Sequence, residues 1–159
     1  GLDLNLPVGR VSTKTMETNI GPRHAEISRL SDNEAWITGS TINPSSLKAS
    51  FEVFAKDAVI FDLTSTFSSV RLIGPDSDKV VESLTDLDLR PSNLPNHACA
   101  QTTLAEVFCM IVRCDMGDLS SYRLFFGREY GVYVWESLVE AGNHHEMALI
   151  GIETLMVLR

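Results

Sequence analysis

The sequence has no cluster of basic residues, no long apolar run and no short catalytic signature, and each absence narrows what the chain does. Its 13 lysines and arginines stand against 21 acids spread along the chain, for a net charge of −8. A phosphate backbone meets net repulsion from such a surface, so no nucleic acid partner is expected. The most apolar windows, Phe108 to Val112 and Met147 to Ile152, fall well short of the roughly 20 residues that cross a bilayer, and no membrane is expected as a partner either. The opening stretch GLDLNLPVGRVSTK lacks the continuous apolar core of a secretory signal, so no export is read from it. GxGxxG, GxxxxGK, HExxH and CxxC are all missing, which removes the short motifs with the clearest mechanisms for dinucleotides, phosphates and zinc. Cysteine is sparse and odd in number, with Cys99, Cys109 and Cys114 in strongly apolar surroundings. That usage fits reduced thiols and a cytoplasmic location better than a disulfide framework.

What is present suits one hydrophobic core, since 159 residues are enough for a single domain and short for two. Residues 1–30 show no sustained period and carry Pro7, Gly9, Gly21 and Pro22, so 1–42 reads as a partly extended N-terminal arm, with the domain proper at 43–159. Leu2, Leu4 and Leu6 alternate, so the arm is either mobile or adds an edge strand to a partner. Asn43 before Pro44 predicts a helix start, followed at helical spacing by Leu47, Phe51, Phe54 and Ala58. Val59–Leu63 and Phe67–Ile73 read as strands, and Gly74-Pro75-Asp76 turns into a helix with Val80, Val81 and Leu84 on its apolar side. Pro91 and Pro95 bracket a loop. Ala100, Thr102 and Leu104 then alternate with polar neighbours, while Val107–Val112 is apolar on both faces and predicts a buried strand. Asp115–Asp118 predicts a hairpin turn into a strand at Tyr122–Phe126. Tyr130, Val134, Leu138 and Ala141 mark a helix closed by Gly142, and a last strand is expected within Met147–Leu158. The order from Phe67 gives an α+β fold with a mainly antiparallel sheet, in a split βαβ, ferredoxin-like pattern with one added strand.

Candidate chemistry is thin. His97 and Cys99 share one face of an expected strand but are too few to hold a metal, and Cys109 and Cys114 have the wrong spacing for a zinc knuckle. His144, His145 and Glu146 are adjacent, so in extended chain they point to opposite faces and read as a polar loop after a helix. Cys109 has no sharp elbow to present it and reads as an inert core thiol. Asp86 and Asp88 have the look of a general acid and base pair. They also flank a helix end beside Arg90, where a solvated face or a salt bridge is the simpler reading. Tyr133 and Trp135, expected near Phe125, read as core or interface residues. No catalytic, cofactor-binding or metal-binding residue is assigned.

The blocks Asp62–Thr64, Arg71–Asp76, Asp88–Pro95, Ala100–Ala105, Arg113 and the aromatic-rich Tyr130–Leu138, about 85 residues from Val59, together resemble the folate-binding domain family of the glycine-cleavage aminomethyltransferases. Within it they are most similar to the branch formed by the gamma subunits of heterotetrameric sarcosine oxidases. The resemblance implies the fold of the aminomethyltransferase N-terminal domain. It also implies partners, chiefly a large alpha subunit, in an amine-oxidising complex that carries FAD, FMN and NAD and passes a one-carbon unit to tetrahydrofolate. Active transferases hold folate with a glycine-rich, aspartate-containing strand. Here that stretch is Glu106-Val107-Phe108-Cys109-Met110-Ile111, and the transferases' Asn-Asp becomes Leu87-Asp88. No cofactor is therefore expected on this chain itself, and the expected role is that of a non-catalytic subunit. An independent tetrahydrofolate-binding, C1-transfer protein using Asp86 or Asp88 is the alternative. A scaffold whose arm augments a partner's sheet is a third reading.

Overall fold

In the computed structural model, residues 6–18, 21–39, 52 and 58–151 are described. The chain divides into two compact units, Gly1–Thr66 and Phe67–Arg159. Both are built on antiparallel sheets, and with the helices of the second unit they make an α+β fold.

The first unit corrects the expectation of an arm. Three strands, β1 (Val11–Thr18), β2 (Gly21–Ser31) and β3 (Glu34–Gly39), pair in the order β1-β2-β3. Ala25 and Ile27 of β2 are buried on one face, with Ala35, Ile37 and Ile60 packed around them. A strand needs an apolar residue only at every second position on its buried face. Short alternations such as Ala25, Ile27 and Ala35, Ile37 therefore suffice where a search for longer runs finds nothing. Asp32-Asn33 is the two-residue turn between Ser31 and Glu34, a hairpin signal present in the sequence.

The expected strand Val59–Leu63 is also corrected: its residues are irregular, with Val59 and Phe61 more than three-quarters exposed. Alternating apolar residues make a strand only when a neighbour takes up their backbone hydrogen bonds. The helix expected from Asn43 lies outside the described residues, apart from Glu52, which is helical.

The second unit follows the expected order. β4 (Phe67–Ile73) leads to α1 (Ser77–Glu82), then β5 (Ala98–Leu104), β6 (Val107–Arg113), β7 (Ser121–Gly127) and α2 (Gly131–Gly142). The sheet order is β4-β7-β6-β5, antiparallel throughout. The strands that α1 joins, β4 and β5, therefore lie at the two edges with the β6–β7 hairpin between them. Because two strands intervene, they run in opposite directions. One sheet face, with Leu72, Leu104, Cys109, Ile111, Leu124 and Phe126, packs against Val80 and Val81 of α1 and Val134 and Leu138 of α2. Burying each such aliphatic side chain contributes about 2 kcal/mol.

Two chain ends depart from expectation. Gly142 does not close α2 with a left-handed turn; its φ is −75°. The helix runs on through a 3-10 turn, Asn143–His145, and stops at Glu146, which takes φ +50°. Gly142 is small for another reason: a Cβ there meets Met147 Sδ at 2.6 Å. The last expected strand is not found at 147–151, which is irregular, and 152–159 lies outside the described residues.

The β5–β6 turn is made by Ala105 and Glu106, both at positive φ (48° and 65°). These are the signs of a type I′ hairpin, which suits the strand twist but favours Asn-Gly. Non-glycine residues there carry a steric cost. Replacing both, Ala105→Asn with Glu106→Gly, is expected to raise unfolding stability by about 1 kcal/mol in urea denaturation. An unchanged or lower midpoint would show that the turn is not strained.

Candidate functional site

The densest polar constellation in the second unit centres on Arg113, the last residue of β6. Only 9% of its surface is exposed, and a buried guanidinium must be paired and hydrogen-bonded to be tolerated. Its Nε donates to Asp115 Oδ1 and Oδ2 at 3.1 and 3.2 Å. Nη1 donates to the Leu94 carbonyl at 3.1 Å and, more weakly, to that of Leu89 at 3.5 Å. The guanidinium also lies 5.7 Å from the Tyr122 ring centroid. The Asp115 carboxylate, hydrogen-bonded to it, pushes the Arg113 pKa further up. Asp115 in turn accepts from the Ser121 amide at 3.2 Å. Asn96 Oδ1 accepts from the amides of His97 and Asp115 at 2.9 and 3.0 Å. Sequence reasoning placed Arg113 only as one letter of a motif; its burial inside an apolar strand end was the signal that it has fixed partners.

The same loop contains the suspected carboxylate pair. Asp88 does not work with Asp86: it accepts from the Arg90 amide at 3.0 Å, from the Arg90 guanidinium and from Asn93 Nδ2 at 2.5 Å. The Arg90 hydrogen bonds hold the Asp88 carboxyl well below the usual carboxylate range. Asp86 is exposed. The salt-bridge reading of Asp88 and Arg90 is the observed one, and the pair is a loop staple with no proton to trade near neutral pH.

The other candidates are dispersed. His97 is not on a strand face; it sits at φ +59° before β5, with Nδ1 at 3.8 Å from Cys114 Sγ, while Cys99 is buried. Cys109 is fully buried, and burial pushes its thiol up to about 12. His144 is exposed, whereas His145 Nδ1 lies 3.2 Å from Asp76 Oδ2, tying the end of α2 to the start of α1. Lys79 and, after it, His145 lower the Asp76 pKa. Tyr133 and Trp135 are not core residues; each is about half exposed, and Phe125 lies on the sheet face away from α2. Among the described residues, no three His, Cys, Asp or Glu side chains gather as a metal site would require.

β6 is the strand on which the resemblance places the transferases' folate-holding aspartate. Val107, Cys109 and Ile111 face the helix-covered core, and Met110 and Val112, on the other face, are buried as well. Phe108 is the exception to the expected two-sided burial, at 52% exposed. Neither face of β6 offers a carboxylate, an amide or a hydroxyl before Arg113.

This strand order, with these blocks on it, is matched by one family description, the GCVT N-terminal domain, over residues 3–159. The chain belongs to that family. The match also covers residues 3–58, for which the sequence alone showed no resemblance. Among curated relatives, the sarcosine oxidase subunit alpha of Rhizobium meliloti is 26% identical over 167 residues, spanning 98% of this chain and 17% of that protein. An aminomethyltransferase of Alkaliphilus metalliredigens is 24% identical over 123 residues, or 74% of this chain and 33% of the relative. One from Streptomyces avermitilis is 29% identical over 103 residues, or 65% and 27%. The chain thus spans between about a sixth and a third of the curated relatives it matches. A solved chain of the heterotetrameric sarcosine oxidase from Corynebacterium sp. U-96, in complex with pyrrole 2-carboxylate, has the same fold at TM-score 0.69 and 18% identity. The likeness covers 91% of this chain and 69% of that one. The α+β fold with mainly antiparallel sheets is that of the GCVT N-terminal domain family.

Two outcomes follow for the loop. Arg113→Met leaves Asp115 without its cation and two carbonyls without their donor, so unfolding stability is expected to fall by about 3 kcal/mol in denaturant titration. A loss below about 1 kcal/mol would mean that the cluster is solvated rather than structural. Asp88 has a depressed folded-state pKa, so its contribution is present above about pH 4, the unfolded value, and is lost as pH falls from there. Asp88→Asn should therefore lower stability at pH 7 and flatten the acid limb, the gap between the two proteins narrowing steadily as pH falls below about 4. Parallel acid limbs would contradict this.

Proposed function

We propose that this chain is a non-catalytic, gamma-type subunit of a flavin-dependent heterotetrameric sarcosine oxidase-like amine oxidoreductase, packing chiefly against the large alpha subunit. The observation that carries this is β6. On the strand where the family's active transferases hold folate, this member presents Val107 to Val112 without one polar side chain. A folate site needs a cavity with a few well-placed polar groups. The likeness to the Corynebacterium sarcosine oxidase chain and to the Rhizobium alpha subunit supports the choice of complex over a free-standing transferase. In this reading FAD, FMN, NAD and tetrahydrofolate belong to the whole assembly and none to this chain alone. A cytoplasmic setting goes with it, since Cys99, Cys109 and Cys114 all stand as free thiols. Among the described residues no helix is long and apolar enough to cross a membrane.

The alternative, an independent tetrahydrofolate-binding C1-transfer protein, needs Asp86 or Asp88 as its acid. Asp88 is engaged by Arg90 and Asn93, which counts against it. Two measurements decide. Co-expressed with the alpha, beta and delta subunits of a heterotetrameric sarcosine oxidase-like complex, the chain is expected to co-elute with them through affinity and size-exclusion steps. Titrated alone with tetrahydrofolate in a calorimeter, it should show no binding. Elution as a lone, fully stable monomer, or a micromolar Kd corresponding to about −8 kcal/mol, would overturn the subunit reading.

A further inference from the structure

Away from the Arg113 loop, an open groove of about 500 Å³ runs between the end of α1, the β5–β6 turn and one flank of α2. Its floor is apolar, formed by Leu84, Ala105 and Ala141, and Tyr133 stands beside it half exposed. Tyr133, Ser137 and Glu140 share a flank of α2 by helical spacing, and the Ser137 hydroxyl is turned back onto the Tyr133 carbonyl at 2.9 Å. Across from them, the positive-φ turn presents Glu106.

The groove is thus lined by two carboxylates and no lysine or arginine. Neither Glu106 nor Glu140 has an ion pair among the described residues. The chemistry that complements such a lining is a cation carried on an apolar stem.

We propose that this groove docks a partner-chain segment presenting a lysine or arginine, its cationic head seated between Glu106 and Glu140 and its alkyl stem laid over Leu84 and Ala141 against the Tyr133 ring. A cation seated between two carboxylates is attracted to both. Long basic side chains bury their methylene stems on apolar surface while the head stays polar, and a tyrosine face adds a cation–π contribution. Tyrosine and arginine are the residue types most enriched where interfaces carry their binding energy. The groove is open to solvent rather than enclosed, which suits a segment of chain better than a small amine that must be sealed from water.

This inference rests on the subunit reading above, and the test separates the two. The complex is reconstituted from the full chain and the partner subunits with which it co-elutes, and its dissociation constant is measured across a salt series. Glu106→Lys with Glu140→Lys is expected to weaken association about tenfold or more, and Glu106→Gln with Glu140→Gln to weaken it less while reducing the salt dependence. An equal charge change elsewhere, Asp118→Lys with Glu129→Lys, should leave the constant within about twofold. Melting curves for each variant separate loss of fold from loss of contact, and the isosteric glutamine pair keeps the test open if the lysine pair unfolds. Association of the folded Glu106→Lys, Glu140→Lys variant within about twofold of the unaltered chain would overturn the proposal while leaving the subunit reading intact. If the unaltered chain does not associate at all, the subunit reading fails first and the groove proposal with it.

Discussion

The second unit depends on one buried positive charge. Arg113 closes the apolar strand β6, and a guanidinium placed there has to find partners within reach or remain in water. Asp115 supplies the counter-charge from the next turn, and the carbonyls of Leu89 and Leu94 supply acceptors from a loop about twenty residues earlier. Those two leucines are themselves almost fully buried, so a single side chain fixes the loop's backbone while the loop's own side chains fill the core. The tie is reinforced twice. Asn96 caps the amides of His97 and Asp115, and Asp88 holds Arg90 and Asn93. Most of the loop's polar obligations are met within this cluster, which leaves few groups in it to do chemistry.

That economy changes how the family's blocks are to be understood. Asp88–Pro95 and Arg113 lie far apart in sequence but meet in space, where they hold a connection in place. A motif that survives because a buried charge needs its partners is compatible with a lost reaction. A motif that survives because it touches substrate is not. β6 separates the two cases: its neighbours keep the architecture, while its own positions from Val107 to Val112 carry only apolar side chains. An apolar strand buried at Met110 and Val112 as well as at Cys109 and Ile111 stabilises the sheet from both faces.

The parts legible in the sequence were those in which local signals agreed. Gly74-Pro75-Asp76 before Val80 and Val81 reads as a turn and a helix, and Gly117, at φ +60°, as a hairpin. The two-sided apolar run of β6 reads as a central strand, which it is. The β1–β3 sheet was not legible, because its strands are rich in Thr, Ser and Glu, and among the side chains described its buried set mixes Val11, Ala25 and Ile27 with Glu26 and Ser28. Val59–Leu63 misled in the opposite direction: its alternation is that of a strand, yet only Ile60 turns inward. Pairing is a property of two segments, and one segment's pattern cannot report it. For the same reason Asp88 was visible as a charge beside Arg90, but the fourfold role of Arg113 was not. Two of its partners are distant carbonyls, which no side-chain pattern encodes.

The remaining surface follows from what the core leaves over. α2 needs only Val134 and Leu138, with Gly142 beneath Met147, to hold the sheet. Yet Tyr130 just before it and Val132, Tyr133 and Trp135 on it are each between two-fifths and three-quarters exposed. Large apolar side chains concentrated there cost solubility, and only part of each is covered by the chain itself. On a chain of net charge −8, the polar groups beside Tyr133 are acidic too, so whatever covers that flank has to bring both apolar surface and positive charge. A helix kept for the fold alone could carry lysine and glutamate at those positions, and the apolar character of these side chains is what supports the proposed docking.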